Sequence, residues 1–231
     1  MSDAVLITAA GTSQRMQIGK KEYLPFSSSD SEQSVLSEVV FRFAQSKLFS
    51  VILITVPSGD EEKAEQMVKK DLRVVPFFEN KALKIIFAEG GATRKESVFK
   101  GLQALTAENP DFVFVHDGAR PWISQALLKT IVEKTHELGA VVPAIPVIDT
   151  QKEIDETGKI IKHLERKTIK AVQTPQGFPF LKLLAAHASA AGDDKAYTDD
   201  SEIYALFAGD VYICEGEREN KKVTFPEDLG Y

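Results

Sequence analysis

The sequence predicts an α/β fold with a mostly parallel central sheet flanked by helices, because short apolar runs alternate with helical segments along the chain. The apolar runs are continuous and rich in β-branched residues, which is typical of strands buried on both faces. One charged segment, 149–170, breaks this rhythm, since two short polar arms flank the turn-forming sequence ETGK. This segment predicts a β-arm that projects from the sheet.

The predicted strands and helices follow one another in order along the chain. Seven apolar runs bounded by turn residues are the predicted strands: 4–9, 50–56, 83–89, 112–117, 139–147, 170–174 and 210–216. Periodicity and position between strands predict five helices: 34–47, 61–72, 92–105, 124–138 and 199–207. The polar stretch 27–33 is predicted to be a surface loop. Ligands of such sheets bind outside the carboxyl ends of the strands, so the loops after the first four strands are the expected site.

Composition and charge exclude several classes of protein. The 231 residues are 43% apolar and 27% charged, as in an ordinary globular protein. The formal charge of −6 argues against a nucleic-acid partner. The single cysteine, Cys214, allows no internal disulfide and fits a reducing compartment. Because no run approaches the ~18 apolar residues of a membrane span and the N-terminus lacks signal-peptide features, we expect a cytoplasmic protein without a membrane partner.

The loop after the first predicted strand contains small residues and cations, but it matches neither common nucleotide motif. It lacks the second and third glycines of a dinucleotide-binding turn and the spacing of a phosphate-binding Walker loop. Arg15 and Lys21 could instead hold a triphosphate, while Ala9, Ala10 and Gly11 let it approach the main chain. The competing interpretation of Arg15 and Lys21 is a solvated first helical turn.

Two further candidate sites follow the third and fourth strands. Gly90 and Gly91 permit close approach of a flat ligand, and Arg94 and Ser97 open the next helix; a plain strand–helix turn starting at Thr93 is the alternative. The sequence HDGARP places a carboxylate, Asp117, at a strand end, followed by a small-residue turn and Arg120. Asp117 is a candidate Mg²⁺ ligand because hard cations prefer oxygen, although a capping role is possible for it. His116 is predicted to be a packed strand residue.

Polar residues near the C-terminus complete the candidate set. Thr198, Asp199 and Asp200 are predicted to cap the helix at 199–207, which leaves a ligand role open for Thr198. Lys221 and Lys222 are predicted to lie on a short strand, where neighbouring side chains face opposite sides. One of the two can therefore face the site while the other faces solvent.

Taken in order, these motifs resemble the 2-C-methyl-D-erythritol 4-phosphate cytidylyltransferase family. The resemblance rests on AAG…RM…KEYLP, GGATRKESV, VHDGARP, DTQKEID, AVQTPQGF, TDD and ENKKVTFPEDL. It implies a Rossmann-like nucleotidyltransferase fold as a single domain over 1–231, with the β-arm at 149–170 forming a homodimer. It also implies that CTP and methylerythritol phosphate are joined with release of pyrophosphate, with Mg²⁺ or another divalent cation as cofactor.

The resemblance also implies a role for each matching residue. Arg15, Lys21 and Lys222 would bind the triphosphate or the reacting phosphates, as catalytic residues. The nucleotide would be lined by Ala9, Ala10, Gly11, Gly91, Arg94, Ser97 and Gly118. The metal would lie near Asp117. The sugar phosphate would be contacted by Arg120 and Thr198, and by Thr150 and Arg166 from the arm of the neighbouring subunit.

The chain departs from the family pattern at a few positions, and alternatives stay open. Ser13 stands where typical members have a second glycine, Lys20 where they have proline, and Gly118 where they have alanine. One alternative is a cytidylyltransferase for ribitol 5-phosphate or another polyol phosphate. Another is a catalytically weakened nucleotide-binding protein of the same fold. The motifs HDGARP and DTQKEID favour the methylerythritol branch, and the preference for cytosine rests on the resemblance alone.

Overall fold

The structure is a computed structural model that describes residues 1–11, 13, 16, 19–27 and 30–229, with the side chains of 27, 30 and 31 left aside. The predicted catalytic residue Arg15 lies outside the described residues.

The central sheet is mixed and mostly parallel, which confirms the predicted fold class. Strand β1 (Asp3–Thr8) lies between β4 (Val51–Val56) and β6 (Phe112–Asp117), and it is parallel to both. Strand β5 (Lys84–Glu89) extends the sheet by pairing parallel with β4. The carboxyl ends of these four strands therefore lie at one edge of the sheet, where their loops meet.

Antiparallel pairing enters on the other side of β6. Strand β11 (Gln176–Pro179) runs antiparallel to β6 and to β7 (Val141–Pro146). Strand β10 (Lys170–Val172) is also antiparallel to β7, whereas β12 (Tyr212–Glu215) is parallel to it. The chain from 170 to 179 thus runs back along the sheet and brings Thr174 next to the end of β6.

Helices cover both faces of the sheet. They are α1 (Val35–Ser46), α2 (Glu61–Lys70), α3 (Val75–Phe78), α4 (Arg94–Ala104), α5 (Gln125–Leu138), α6 (Phe180–Ala190) and α7 (Asp200–Phe207). The five predicted helices are confirmed to within about two residues at each end. The sequence prediction omitted α3 and α6, although residues 180, 183, 186, 187 and 190 of α6 are buried at helical spacing.

The core lies on both sides of β1, which explains its uninterrupted apolar run. Val5 and Ile7 belong to a buried cluster with residues of α1, α2 and α5. Ala4 and Leu6 belong to a second cluster with residues of α4, α6 and α7. A strand covered on both faces has no solvent side to require polar residues, so alternation is absent.

Three local predictions can be compared with the structure. The predicted surface loop 27–33 is wrong, because β2 (Pro25–Ser27) and β3 (Asp30–Ser34) form a short antiparallel pair there. The predicted hairpin in the arm is confirmed by β8 (Lys152–Ile154) and β9 (Ile160–His163). The predicted strand around Lys222 is wrong, since that residue lies in an irregular segment. Among the described residues, no helix combines the length and the apolar character needed to cross a membrane.

Candidate active site

A cleft of about 640 Å³, counting the open space at its mouth, lies at the carboxyl ends of β1, β5 and β6. This is the edge of the sheet at which the sequence predicted a site. The predicted site residues that line it are Ala10, Gly11, Lys21, Gly91, Arg94, Ser97, Asp117, Gly118 and Lys222. Residues separated by about two hundred positions in sequence therefore meet in one cavity.

Asp117 is a buried carboxylate surrounded by three cations. Lys222 Nζ lies 2.9 Å and Arg120 Nε 3.2 Å from its Oδ2, and Arg94 Nε lies 3.8 Å from its Oδ1. Burial alone would raise the pKa of Asp117, but Lys222, Arg94 and Arg120 outweigh it and hold that pKa far below its ordinary value. The side chain is thus a permanent anion that gathers the cations of the cleft.

The turn after β6 is fixed by a buried hydrogen-bond chain through His116. The Asp117 amide donates to Thr174 Oγ1 at 3.1 Å, and that hydroxyl lies 3.0 Å from His116 Nδ1. His116 Nε2 lies 3.2 Å from the Arg120 carbonyl, which can only accept, so Nε2 carries the proton. Burial lowers the pKa of His116 to about 4, so the ring is neutral. The prediction that His116 is a packed strand residue is confirmed.

Lys222 reaches the cleft because the segment before it is tied to the sheet. Asn220 is fully buried, and its side chain donates to the Thr174 carbonyl at 2.9 Å. Arg120 Nη1 donates to the Asn220 carbonyl at 2.9 Å, and the amide of Val223 donates to a backbone carbonyl in the turn after β6. Lys222 therefore points at Asp117, while Lys221 is exposed, as the prediction of opposite facing required.

The glycine pair after β5 is packed against its neighbours. A Cβ on Gly90 would lie 2.4 Å from the Cβ of Ala10, so the loops after β1 and β5 approach closely only because Gly90 lacks one. Ser97 Oγ accepts from the amide of Gly91 at 3.0 Å. Thr93 caps α4 through a hydrogen bond from the amide three residues on, which confirms the predicted helix start.

The first loop contains a carboxylate that the sequence analysis did not single out. Glu22 is 3% exposed, lines the cleft and accepts a hydrogen bond from Ser13 Oγ at 3.2 Å. Burial raises the pKa of Glu22, and the nearby Lys20 and Lys21 oppose that rise. Ser13 has a φ of +53°, a conformation that favours glycine. The glycine that the family resemblance implies at this position would therefore have a conformational reason.

Some predicted residues lie apart from the cleft wall. Ala9 is fully buried. Arg120 contacts Asp117 but does not line the cleft. Thr198 is exposed and donates to Glu202 Oε2 at 2.9 Å. On the arm, Arg166 Nη2 donates to Thr150 Oγ1 at 3.2 Å, and both residues are exposed.

Asp200 has a different position from the cap that the sequence predicted. Asp199 is the N-cap of α7, since its side chain accepts from the amide of Glu202. Asp200 is fully buried, and its Oδ2 lies 2.7 Å from Arg94 Nη2. Its Oδ1 lies 3.1 Å from His187 Nε2. Carboxylates at helix starts resemble ordinary caps in a sequence, so no local pattern distinguishes the two aspartates.

Small residues, two lysines and an arginine line the cleft together with two carboxylates, Asp117 and Glu22. Within the described part of the chain, no group of three or more His, Cys, Asp or Glu side chains could hold a metal ion. The cations of the cleft suit a polyphosphate, whose oxygens can accept hydrogen bonds from lysine and arginine side chains.

Comparisons with known proteins agree with this geometry. The family model for 2-C-methyl-D-erythritol 4-phosphate cytidylyltransferase matches residues 4–231. A protein of that name from Bacillus thuringiensis is 32% identical over 225 residues, covering 97% of this chain and 93% of the relative. A bifunctional enzyme IspD/IspF from Nitrobacter hamburgensis is 44% identical over 143 residues, covering 62% of this chain and only 36% of the relative. The chain therefore matches about a third of that longer relative.

Two crystal structures of other proteins are similar to the structure of this chain over nearly its whole length. The 4-diphosphocytidyl-2C-methyl-D-erythritol synthase of Anaerococcus prevotii has a TM-score of 0.79 at 26% identity, covering 99% of this chain and 94% of the other. The 2-C-methyl-D-erythritol 4-phosphate cytidylyltransferase of Thermus thermophilus has a TM-score of 0.75 at 31% identity, covering 99% and 96%.

Proposed function

Because the chain belongs to the 2-C-methyl-D-erythritol 4-phosphate cytidylyltransferase family, we propose that it joins CTP and methylerythritol phosphate, releasing pyrophosphate. The observation that carries the proposal is the convergence of Lys222 and Arg94 on Asp117, beside the glycine loop that contains Gly91. A cleft of this kind can hold a triphosphate and a second phosphate together.

The reaction needs charge neutralisation more than a base. The nucleophile is an oxygen of a phosphate monoester, whose second pKa of ~6 leaves it largely ionised at neutral pH. It attacks the α-phosphorus of CTP in line, a new P–O bond forms, and the bond to the bridging oxygen breaks. Pyrophosphate leaves with the electron pair, so the main obstacle is repulsion between two anions.

The cations of the cleft meet that need. Lys21 and Lys222 would bind the triphosphate and stabilise the charge that develops on the α-phosphate and the leaving group. Arg94 lines the same cleft and would contact the nucleotide. Arg15 is proposed to join them on the strength of the family pattern alone. Arg120 and Thr198 do not line the cleft, so their proposed binding of the sugar phosphate rests on the family pattern alone.

Asp117 is the residue that would hold Mg²⁺. A single carboxylate fits this ion, which commonly takes its other ligands from water and substrate phosphates. When bound, the ion would lower the negative charge of the phosphates. Asp117 itself keeps Lys222 and Arg120 in place around that position.

The arm is proposed to complete the site of a second subunit in a homodimer. Thr150 and Arg166 lie on the arm and are exposed within one chain, as residues that reach a neighbouring site would be. They would anchor the remote part of the sugar phosphate and so orient the attacking oxygen.

The test is pyrophosphate release with Mg²⁺, crossing CTP, UTP, ATP and GTP against methylerythritol phosphate and ribitol 5-phosphate. Release with CTP and methylerythritol phosphate alone is expected. Release with ribitol 5-phosphate in its place would keep the mechanism and change the substrate. A folded protein that binds nucleotide without releasing pyrophosphate from any pair would contradict the proposal.

A further inference from the structure

We propose that Asp200 is a positioning residue that holds the Arg94 guanidinium over the nucleotide cleft, and that His187 fixes Asp200 in turn. The proposal rests on the proposed function, because it presupposes that Arg94 contacts the nucleotide and adds residues outside the cleft that hold Arg94 in place. It adds two residues that do not line the cleft.

Arg94 and Asp200 form a close ion pair in which the anion is buried. Asp200 is fully buried, whereas the Arg94 side chain is 31% exposed and lines the cleft. Their closest atoms are 2.7 Å apart, while Asp117, another carboxylate near Arg94, lies at 3.8 Å. An arginine side chain has several rotatable bonds, so a fixed anion on one side selects the position of its head group. Arg94 is therefore presented to the cleft by Asp200 rather than by the cleft wall.

His187 holds Asp200 in place through a hydrogen bond. It is fully buried on α6, and its Nε2 lies 3.1 Å from Asp200 Oδ1. The ring stacks on Phe99 of α4 with an interplanar angle of 15° and a centroid distance of 6.5 Å. Because an ionised carboxylate only accepts hydrogen bonds, Nε2 is the donor. Three helices thus meet through the chain His187, Asp200 and Arg94.

The contact between Asp200 and Arg94 also links the two proposed substrate sides of the site, because of where Asp200 lies in the chain. It begins α7, directly after the segment that contains Thr198, the proposed sugar-phosphate residue. One buried carboxylate therefore connects α4, on the nucleotide side, with the segment on the sugar-phosphate side. The helix pair α6 and α7 is fixed relative to α4 at this point.

The Asp200→Asn variant tests the role of Asp200. Asparagine keeps the shape but loses the charge that holds Arg94, so we expect the KM for CTP to rise roughly tenfold to a hundredfold. The affinity for CTP with Mg²⁺, measured by calorimetry, should fall by a similar factor. Asp3→Asn is the matched control, since Asp3 is a buried aspartate paired with His136 at 2.9 Å, at the amino end of β1 away from the cleft. Its kinetics should match those of the wild type.

The double variant Arg94→Gln, Asp200→Asn separates positioning from stability. If Asp200 acts through Arg94, the double variant and Arg94→Gln alone should have the same KM and the same CTP affinity. The melting temperature of each variant is measured alongside, because Arg94→Gln alone leaves the buried Asp200 carboxylate without its arginine, whereas the double variant leaves no unpaired buried charge. A further loss in the double variant, or wild-type CTP affinity in Asp200→Asn, would overturn the proposal.

His187 gives an independent arm of the test. His187→Gln keeps a donor for Asp200 and should retain most of the CTP affinity, whereas His187→Phe should lose several-fold. Equal affinities in the two variants would refute the role of His187. Failure of the wild type to release pyrophosphate would instead contradict the proposed function, and CTP binding would still decide between the variants.

Discussion

The cleft and the arm contain predicted functional residues in opposite settings. In the cleft, Asp117 is 6% exposed, and cations reach it from three separate segments of the chain. On the arm, Thr150 and Arg166 are exposed, and the contact between them is a single hydrogen bond of 3.2 Å. A charged group held by a buried network keeps its geometry before the ligand arrives, whereas an exposed pair is ordered only by whatever binds to it.

This difference separates two kinds of contribution to one proposed reaction. Preorganised cleft cations would lower the barrier of the chemical step, because their cost of ordering is met during folding. The arm residues are proposed to contribute by binding, once another subunit brings a site to them. Exposed isoleucines on the arm, Ile154, Ile160 and Ile161, fit the interpretation that this surface is covered in an assembly. Mutations in the two regions should therefore affect different kinetic constants.

The largest effect is expected at Lys222. The Lys222→Ala variant should lower kcat by roughly 10²–10³, because loss of one preorganised contact to developing charge typically costs that much. Lys221→Ala is the matched control, since that lysine is adjacent and exposed. Steady-state kinetics at saturating CTP and methylerythritol phosphate measure the change. A kcat of Lys222→Ala within twofold of the control would show that this cation does not act in the chemical step.

A smaller and differently distributed effect is expected on the arm. The Arg166→Ala variant should raise the KM for methylerythritol phosphate roughly tenfold to a hundredfold, while the KM for CTP and the melting temperature stay nearly unchanged. Its exposed side chain explains why folding should not depend on it. Lys167→Ala, one residue further along the same turn, is the control. Equal increases in both KM values would place Arg166 outside sugar-phosphate binding and weaken the contrast between arm and cleft.

The buried hydrogen-bond chain through His116, which holds the turn after β6, should make the stability of the protein depend on pH. The pKa of His116 is lowered to about 4 in the folded protein, against 6.5 for an unperturbed histidine. The unfolded chain therefore binds more protons between these values, so the stabilisation is complete above pH 6.5 and is lost as pH falls toward 4. The loss from this group is at most about 3 kcal/mol. Glu22 and Asp3, whose pKa values are raised by burial, act in the opposite sense.

Urea unfolding at pH 7 and at pH 4.5 measures this dependence. The His116→Gln variant keeps a donor for the Arg120 carbonyl but cannot titrate. It should be less stable than the wild type at pH 7, and it should lose less stability on acidification. Parallel losses in the two proteins would show that His116 does not govern this pH range.

The sequence predicted the fold and much of the cleft because those features follow periodic patterns and local motifs. Strands such as 112–117 were bounded correctly, since burial on both faces demands an uninterrupted apolar run. Asp200 and Glu22 were not assigned to the site, because their roles depend on which distant residues surround them. The strand expected at Lys222 was wrong for the same reason: hydrogen bonds to Thr174 and Arg120 hold the preceding Asn220 in an irregular path.

The smallest effect is expected at the cleft wall, where this chain has Gly118 and the family resemblance implies alanine. A Cβ at this position would lie 2.9 Å from the Thr8 carbonyl oxygen, which belongs to the backbone of β1 and cannot rotate away. Gly118→Ala should therefore destabilise the protein by about 1–3 kcal/mol, because β1 or the turn must shift. Gly192→Ala is the control, since a Cβ there meets nothing within 4 Å. If urea denaturation gives both variants the same stability, the turn after β6 adapts to a side chain as freely as an exposed loop does. The backbone of the cleft wall would then be rigid up to Asp117 and adaptable from Gly118 onward.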